Sequence, residues 1–249
     1  MRVLVFGGTT EGRLLSHALA RRGAAVTVCV ATAYGREEQG DEPGVTVLTG
    51  RRTEREMEKL LEGMDLCIDA THPYAVAVST LSREACKTAG VPYRRLLRAK
   101  SESEGVEVES AAEAAALLAN MEGNVLLTTG AKELPAFSAL EPERLYPRIL
   151  PSHEGLAACE AAGIPHRNII AMQGPFSREL NEALIRQYDI RSVVTKDGGA
   201  AGGFSEKAAA AAATGATLVV LRRPEETGET METLLREAEA MLAREARGE

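Results

Sequence analysis

The sequence predicts an α/β protein built on parallel strands. Short apolar runs rich in Val, Ile and Leu alternate along the chain with longer segments whose apolar residues recur at helical spacing. Gly, Ser, Thr or Pro stands at most junctions between a run and the segment that follows it. The alternation starts again after a polar stretch at 99–106, which indicates a second α/β unit beyond that crossing.

The same patterns place the individual elements. In the first half, strands are predicted at 2–6, 25–30, 45–48, 66–69 and from 91, with helices at 10–22, 53–61 and 74–89. Thr53 and Glu56 form a capping-box pattern, and Pro73 suits the first position of a helix. In the second half, strands are predicted at 124–127, 144–150, 169–172, 190–195 and 217–221, with helices at 111–118, from 151, at 178–187, at 205–214 and from about 229.

The opening strand ends in a glycine turn. Gly7 and Gly8 break the apolar run, Thr9 and Thr10 offer capping hydroxyls, and Gly12 follows in the next turn. A strand that passes through glycine into a helix presents backbone N–H groups and the positive end of a helix dipole, which suits a nucleotide pyrophosphate. The spacing matches neither G-x-G-x-x-G nor a Gly-Lys-Ser/Thr loop, so a nucleotide site and an ordinary α/β turn both stay open.

The end of the second strand bears on which nucleotide would bind. Dinucleotide folds often carry an acidic residue there, which binds the ribose 2′-hydroxyl, but residues 31–36 contain none. A hydroxyl at Thr32 and a cation at Arg36 are more compatible with a 2′-phosphate, which favours NADPH over NADH. The alternative is that Arg36 is simply exposed to solvent and binds no phosphate. The same two interpretations apply to Arg51 and Arg52.

A second informative stretch runs from Leu66 to Tyr74. Its apolar strand ends at Asp69, and a Thr71-His72-Pro73 turn follows. Ligands of open parallel sheets bind beyond the carboxyl ends of the strands, so this turn is expected beside Gly7 and Gly8. His72 is a candidate hydrogen-bond partner or proton relay, with a structural cap as the alternative.

Composition and charge narrow the functional class. The formal net charge of −7 argues against general binding to nucleic acid or to acidic membranes. The four cysteines are widely spaced without a C-x-x-C pair, so no metal signature is present, and a reducing cytoplasm fits them best. Apolar runs fall short of the roughly 20 residues of a membrane span.

Basic and hydroxyl residues recur at the strand ends of the second half. Such residues occur at 128–132, 173–177, 195–203 and 222–223, and an arginine-rich run at 94–98 precedes them. At any single strand end, such residues are explained by the requirements of a turn or a helix cap. If they meet at one edge of a sheet, they form a polar, partly basic wall suited to an acidic ligand.

Taken together, the motifs resemble those of a known family. GGTTEGR, DATHPYA, TTGAKEL, GPFS with an Asn four residues later, and TKD-G-G followed by EK-x-x-A-A occur in the order found in the precorrin-6A reductase family of cobalamin biosynthesis. The resemblance covers nearly the whole chain. It implies two Rossmann-like domains with parallel sheets and an active-site cleft between them, at 1–100 for the nucleotide and 101–249 for the substrate. Packing of the last helix back on the first domain is left open.

The resemblance also implies an activity and a site. Members transfer a hydride from a reduced nicotinamide nucleotide to C19 of the macrocycle precorrin-6A, or its cobalt form, to give precorrin-6B. The residues expected to bind the cofactor are Gly7, Gly8, Thr9, Thr10, Glu11, Gly12, Thr32, Arg36, Thr71, His72 and Pro73, with His72 the catalytic candidate. The residues expected to bind the polycarboxylate tetrapyrrole are Arg94, Thr129, Lys132, Arg148, Ser177, Lys196 and Lys207.

Other interpretations stay open beside this one. The sequence gives little support to a short-chain dehydrogenase that reduces a carbonyl. That chemistry needs Tyr-x-x-x-Lys, and none of the tyrosines has Lys four residues later. A methyltransferase is weak because the second strand lacks a terminal acid. A non-catalytic nucleotide-binding regulator, or a dehydrogenase with another substrate, is compatible with the fold. The sequence leaves open NADPH or NADH, cobalt-containing or metal-free substrate, the proton donor, and a monomer or weak homo-oligomer.

Overall fold

The structure is a computed structural model that describes residues 1–98, 105–199 and 202–247. The chain divides into two compact units, Met1–Arg98 with Pro224–Glu249, and Ala99–Arg223. The domain boundary expected at residue 100 lies outside the described residues. Residues 224–249, expected in the second domain, fall in the first unit, where the helix Met231–Arg247 packs against the helix Thr10–Arg21.

The first unit has strands β1 (Arg2–Phe6), β2 (Ala25–Val30), β3 (Val45–Thr49), β4 (Leu66–Asp69) and β5 (Tyr93–Arg95), with helices α1 (Thr10–Arg21), α2 (Ala33–Gln39), α3 (Glu54–Leu61) and α4 (Val76–Ala89). Within the described residues these strands form a five-stranded parallel sheet in the order β3-β2-β1-β4-β5. The strand order reverses between β1 and β4, and such a switch point is where open α/β sheets bind ligands.

Alternation along β1 explains why this sheet is covered on both faces. Val3 and Val5 pack in one apolar cluster with residues of α1, whereas Leu4 and Phe6 pack in another with residues of α3 and α4. Successive side chains of a strand point to opposite faces, so an unbroken apolar run needs helices on both sides.

The second unit has strands β6 (Val106–Val108), β7 (Asn124–Leu127), β8 (Leu145–Ile149), β9 (Ile170–Ala171), β10 (Ile190–Lys196) and β11 (Thr217–Leu221), with helices α5 (Ala111–Leu118), α6 (His153–Ala161), α7 (Arg178–Gln187) and α8 (Phe204–Thr214). Its described residues form a six-stranded parallel sheet in the order β6-β11-β10-β7-β8-β9. Its switch point lies between β7 and β10.

The chain then returns to the first unit. The backbone N–H of Leu97 donates to Glu229 O at 2.8 Å, and the N–H of Glu229 donates to Arg95 O at 2.8 Å, so the returning segment extends the edge beside β5. Helix α9 (Met231–Arg247) follows, and its Leu234 and Ala238 are buried in the same cluster as Val3.

The predicted α/β fold with two Rossmann-like sheets is confirmed, and two local expectations need correction. Helix α4 begins at Val76 rather than at residue 74, because a turn closed by the Ala75 N–H and His72 O at 2.8 Å precedes it. Residues 33–39 form a short helix, α2, although the sequence pattern predicts no helix between β2 and β3. The segment after β7 forms a 3₁₀ helix at Ala131–Phe137. None of the helices in the described ranges is long and apolar enough to span a membrane.

Candidate active site

The glycine turn and the Thr-His-Pro turn lie side by side, as the sequence predicts. Phe6 is paired with Asp69 where β1 and β4 end, and the backbone N–H of Ala70 donates to Phe6 O at 2.9 Å. Beyond the sheet, the hydroxyl of Thr9 donates to Ala70 O at 2.8 Å. The two turns therefore form one continuous surface at the switch point of the first unit.

A different steric constraint favours glycine at each of the three glycine positions of the opening turn. A Cβ on Gly7 would lie 2.9 Å from Cγ1 of Val28, and one on Gly12 would lie 3.1 Å from Cβ of Ala70. Gly8 has φ +101°, which L residues rarely adopt, and open space surrounds its missing side chain. Gly7 and Gly12 thus permit close packing of strand and helix, while Gly8 leaves the backbone accessible to a ligand.

Helix α1 starts against this turn. Thr9 is its N-cap, and the Thr9 hydroxyl accepts a hydrogen bond from the Gly12 N–H at 3.0 Å. The N–H groups of Thr10 and Glu11 lie in the first turn and have no partner within the helix, so they are available to an anion. Glu11 adds a negative charge there, but Oε2 of Glu11 lies 3.1 Å from Nη2 of Arg98.

The Thr71 turn rests on a buried ionic cluster. Asp69 Oδ1 accepts from the Thr71 N–H at 3.0 Å, from the Thr71 hydroxyl at 2.7 Å and from Arg95 Nη1 at 2.6 Å. The Tyr93 hydroxyl donates to the other carboxylate oxygen at 2.8 Å. Arg95 also donates to Thr71 O at 3.0 Å and to Glu226 at 2.5 Å. This cluster fixes the backbone from which His72 and Pro73 project.

His72 is half-buried in that turn. Its Nδ1 accepts a long hydrogen bond from the Tyr74 N–H at 3.4 Å, and the two rings lie 5.4 Å apart. Pro73 is buried beside His72.

The ends of β2 and β3 hold two of the basic residues considered for a nucleotide phosphate. Thr32 is the N-cap of α2, and Arg36 reaches the other end of that helix, where it binds Gly40 O and Asp41. Arg52 follows β3 and donates to Thr49 O at 3.1 Å. Burial raises the pKa of the Cys29 thiol on β2 to about 11, and the adjacent Arg52 guanidinium opposes part of that rise.

In the second unit, Arg148 is buried near the carboxyl end of β8. The residue is 7% exposed, and its guanidinium donates to Asn181 Oδ1 at 2.8 Å and lies 4.1 Å from the ring centre of Phe176. Burial lowers the pKa of Arg148 to about 10. Ser177 follows Phe176 in sequence and caps α7, where its hydroxyl accepts a hydrogen bond from the Leu180 N–H at 3.3 Å.

Lys207 lies close to Arg148. It is 8% exposed in the first turn of α8 and donates to Gly202 O at 2.8 Å. Burial lowers the pKa of Lys207 to about 8, the Arg148 charge acts in the same direction, and Glu206 and Asp197 oppose it.

The remaining predicted substrate residues of this unit follow β7 and β10, which are neighbours in the sheet. Lys196 ends β10 and pairs with Glu133 at 2.6 Å. Thr129 is buried, its hydroxyl oxygen has no hydrogen-bond partner among the described residues, and Lys132 is exposed three residues later.

Comparison with known proteins identifies the family. A sequence profile described as "Precorrin-6x reductase CbiJ/CobK" matches residues 2–242. The chain belongs to this family. It is 32% identical over 232 residues to the cobalt-precorrin-6A reductase of Priestia megaterium, covering 90% of this chain and 91% of the relative. It is 31% identical over 207 residues to the precorrin-6A reductase of Mycobacterium tuberculosis strain H37Rv, covering 80% and 79%.

A solved structure supports the same membership. The structure titled "CobK precorrin-6A reductase" matches 95% of this chain and 96% of its own with a TM-score of 0.79 and 28% identity. The resemblance to the precorrin-6A reductase family is thereby confirmed, and with it the assignment to the reductases that use a nicotinamide nucleotide.

The first unit of this CbiJ/CobK protein fits such a nucleotide. Gly8 leaves open space where a side chain would stand, and the first-turn N–H groups of α1 face the same turn. Arg98 supplies a cation beside Glu11, and its side chain is 7% exposed. Within the arginine run at 94–98, the residue expected to bind a ligand is Arg94, but Nε and Nη2 of Arg94 both donate to Glu237.

Proposed function

We propose that this protein transfers a hydride from NADPH to C19 of precorrin-6A, or of its cobalt form, to give precorrin-6B in cobalamin biosynthesis. The observation that carries the proposal is the continuous surface formed by the Gly7–Gly12 turn and the Thr71–Pro73 turn in a chain of the CbiJ/CobK family. The bound cofactor supplies the hydride, and the dihydro product also requires one proton.

The first unit would hold the cofactor by its backbone. The open backbone at Gly8 and the N–H groups of Thr10 and Glu11 would bind the pyrophosphate, with the positive end of the α1 dipole behind them. The Glu11 charge opposes an anion, but its contact with Arg98 offsets it. NADPH rather than NADH is proposed because the ends of β2 and β3 carry Thr32, Arg36 and Arg52 and no acid.

The Thr71–Pro73 turn would border the nicotinamide. The Thr71 N–H donates to Asp69 and the Thr71 carbonyl accepts from Arg95, so the turn would keep its shape when the cofactor binds. His72 would hydrogen-bond the cofactor or, in its protonated imidazolium form, donate the proton that completes the reduction and become neutral. Water is the alternative source of that proton.

The second unit would bind the acidic macrocycle. Arg148, Lys207 and Lys196 are cations at or near its strand ends, and Thr129 contributes a buried hydroxyl. Lys132 adds an exposed charge. Ser177 serves as a cap, and Arg94 is engaged by Glu237, so their share in substrate binding would be smaller. Contacts of this kind orient the ring so that one carbon lies within reach of the hydride.

The decisive experiment measures NADPH oxidation at 340 nm with and without precorrin-6A. Oxidation that depends on the macrocycle, with one precorrin-6B formed per NADPH, supports the reductase. A non-catalytic regulator would bind NADPH without oxidising it, and a dehydrogenase for another substrate would stay inactive with precorrin-6A. Comparison of metal-free and cobalt-containing substrate would establish which form is used. We also propose a cytoplasmic location, which the buried thiols at 29, 67, 86 and 159 fit.

A further inference from the structure

Within the described residues, the buried guanidinium of Arg148 is bound only by neutral groups. Among the described residues its hydrogen-bond partner is the amide of Asn181, and its other contact is the ring face of Phe176 at 4.1 Å. Buried charged groups in proteins are normally paired with an opposite charge. In the part of the chain that the structure describes, Arg148 is therefore a desolvated cation without an anionic partner.

The charged side chains described near Arg148 do not provide that anion. Lys207 is a second buried cation close to Arg148, and the two carboxylates near it, Asp197 and Glu206, act on Lys207. Lys207 also donates to Gly202 O. The guanidinium of Arg148 has five N–H donors, and the hydrogen bond to Asn181 uses one of them.

The GPFS-x-x-x-N motif explains how Arg148 is held in place. Asn181 is buried, and its Nδ2 donates to Ser177 O at 2.7 Å, which turns Oδ1 towards Arg148. A Cβ on Gly174 would lie 2.9 Å from the Phe176 ring, so glycine is required for the ring to lie where it covers the guanidinium. The motif thus positions an arginine that lies outside it in sequence.

We propose that Arg148 is a preorganised clamp for one carboxylate of the tetrapyrrole, with Asn181 and Phe176 as its positioning residues and Lys207 as a supporting charge. The proposal rests on the proposed function for the identity of the ligand. A carboxylate accepts two parallel N–H bonds from a guanidinium, and the partners already in place prevent the side chain from swinging away. The fixed geometry lowers the conformational entropy lost on binding.

The test compares Arg148→Met and Asn181→Asp with wild type and with Arg178→Met. Asn181→Asp keeps the side-chain shape and gives Arg148 an internal carboxylate that competes with the ligand. Arg178 is exposed and paired with Glu182 on the same helix, so its variant is the matched control. The measurements are KM for precorrin-6A, kcat, Kd for NADPH, and Kd for uroporphyrin III, an octacarboxylate tetrapyrrole, by fluorescence at several salt concentrations.

We expect both test variants to raise KM and the uroporphyrin Kd about 10- to 100-fold, with kcat and the NADPH Kd near wild type. A folded test variant that keeps wild-type KM and uroporphyrin affinity overturns the clamp while leaving the reductase function intact. If Arg148→Met does not fold, Asn181→Asp decides alone. Arg148-dependent uroporphyrin binding without any oxidation of NADPH by precorrin-6A would support the clamp and reject the proposed function.

Discussion

Arg95 Nη1 donates to Asp69 Oδ1 at 2.6 Å, and both side chains are buried. The same guanidinium donates to the carbonyl of Thr71 and to Glu226. One cation thus joins the end of β4, the turn beside the glycine loop, and the segment that returns to the first unit before α9. Its loss would disturb all three at once.

Replacing Arg95 by Met is expected to destabilise the protein by about 3–5 kcal/mol, because it leaves the Asp69 carboxylate buried without its cation. The measurement is the free energy of unfolding in urea. Arg94→Met is the control, since Arg94 is the adjacent residue but pairs with Glu237 at a partly exposed site. Pairs of that kind contribute about 0–1 kcal/mol. Equal losses in the two variants would contradict the importance of the Asp69 cluster.

The same carboxylate is expected to make stability depend on pH in the acid range. Burial alone raises the pKa of Asp69, but the Arg95 charge and hydrogen bonds from Ser79 and Thr71 outweigh it and hold that pKa below its usual range. A lowered folded-state pKa gives stability that is present above the unfolded value, near pH 4, and is lost as pH falls through the folded value.

Unfolding free energies between about pH 5 and pH 2 would measure this effect. Asp69→Asn should have a shallower decline than wild type over that range, because it has no carboxylate to protonate. Asp41→Asn, at an exposed ion pair with Arg36, should keep the wild-type slope. A wild-type slope in Asp69→Asn would show that other carboxylates dominate.

The features that sequence predicted are those that local patterns determine. The turn at Gly7 and Gly8 and the cap at Thr53 depend on residues a few positions apart, and the structure has them where expected. The placement of the two turns side by side followed from the parallel order of strands, which a strand–helix alternation implies.

What sequence could not give is the choice among neighbouring arginines. Arg94 and Arg95 are consecutive in β5, so their side chains point to opposite faces, and either assignment fits the pattern. Arg95 is distinguished from Arg94 by its partner Glu226, which lies 131 positions away in the returning segment. Helix α2 escaped prediction because it is short and contains Gly35, a poor helix former.

Gly8→Asp is expected to raise the Kd for NADPH at least about tenfold, since it sets a carboxylate against the proposed pyrophosphate position. Gly23→Asp is a matched control, because Gly23 has φ +96° and open space as Gly8 does, but lies between α1 and β2. Both variants carry similar backbone strain. Fluorescence titration with NADPH should separate them, and equal affinities would remove the opening turn from the cofactor site.

Lys196→Ala is expected to raise KM for precorrin-6A by roughly threefold to tenfold, with the Kd for NADPH unchanged, since one partly buried charge is lost from the substrate side. Arg191→Ala is the control, because Arg191 lies near the other end of β10 and is exposed. Steady-state kinetics and cofactor titration give the two constants. The reverse pattern, with NADPH affinity lowered and KM unchanged, would assign Lys196 to the nucleotide.

Arg52→Ala is expected to weaken NADPH binding about 10- to 100-fold and to leave NADH binding nearly unchanged, because a lost bond to the 2′-phosphate affects only the phosphorylated cofactor. Arg52 is favoured over Arg36 because it lies against Cys29 and Thr49, at the ends of β2 and β3, whereas Arg36 binds Gly40 and Asp41. Parallel titrations of Arg52→Ala and Arg36→Ala with both cofactors test the choice. If only Arg36→Ala loses the preference for NADPH, Arg36 is the residue that binds the 2′-phosphate. Its exposed ion pair with Asp41 would then have to break when the cofactor binds.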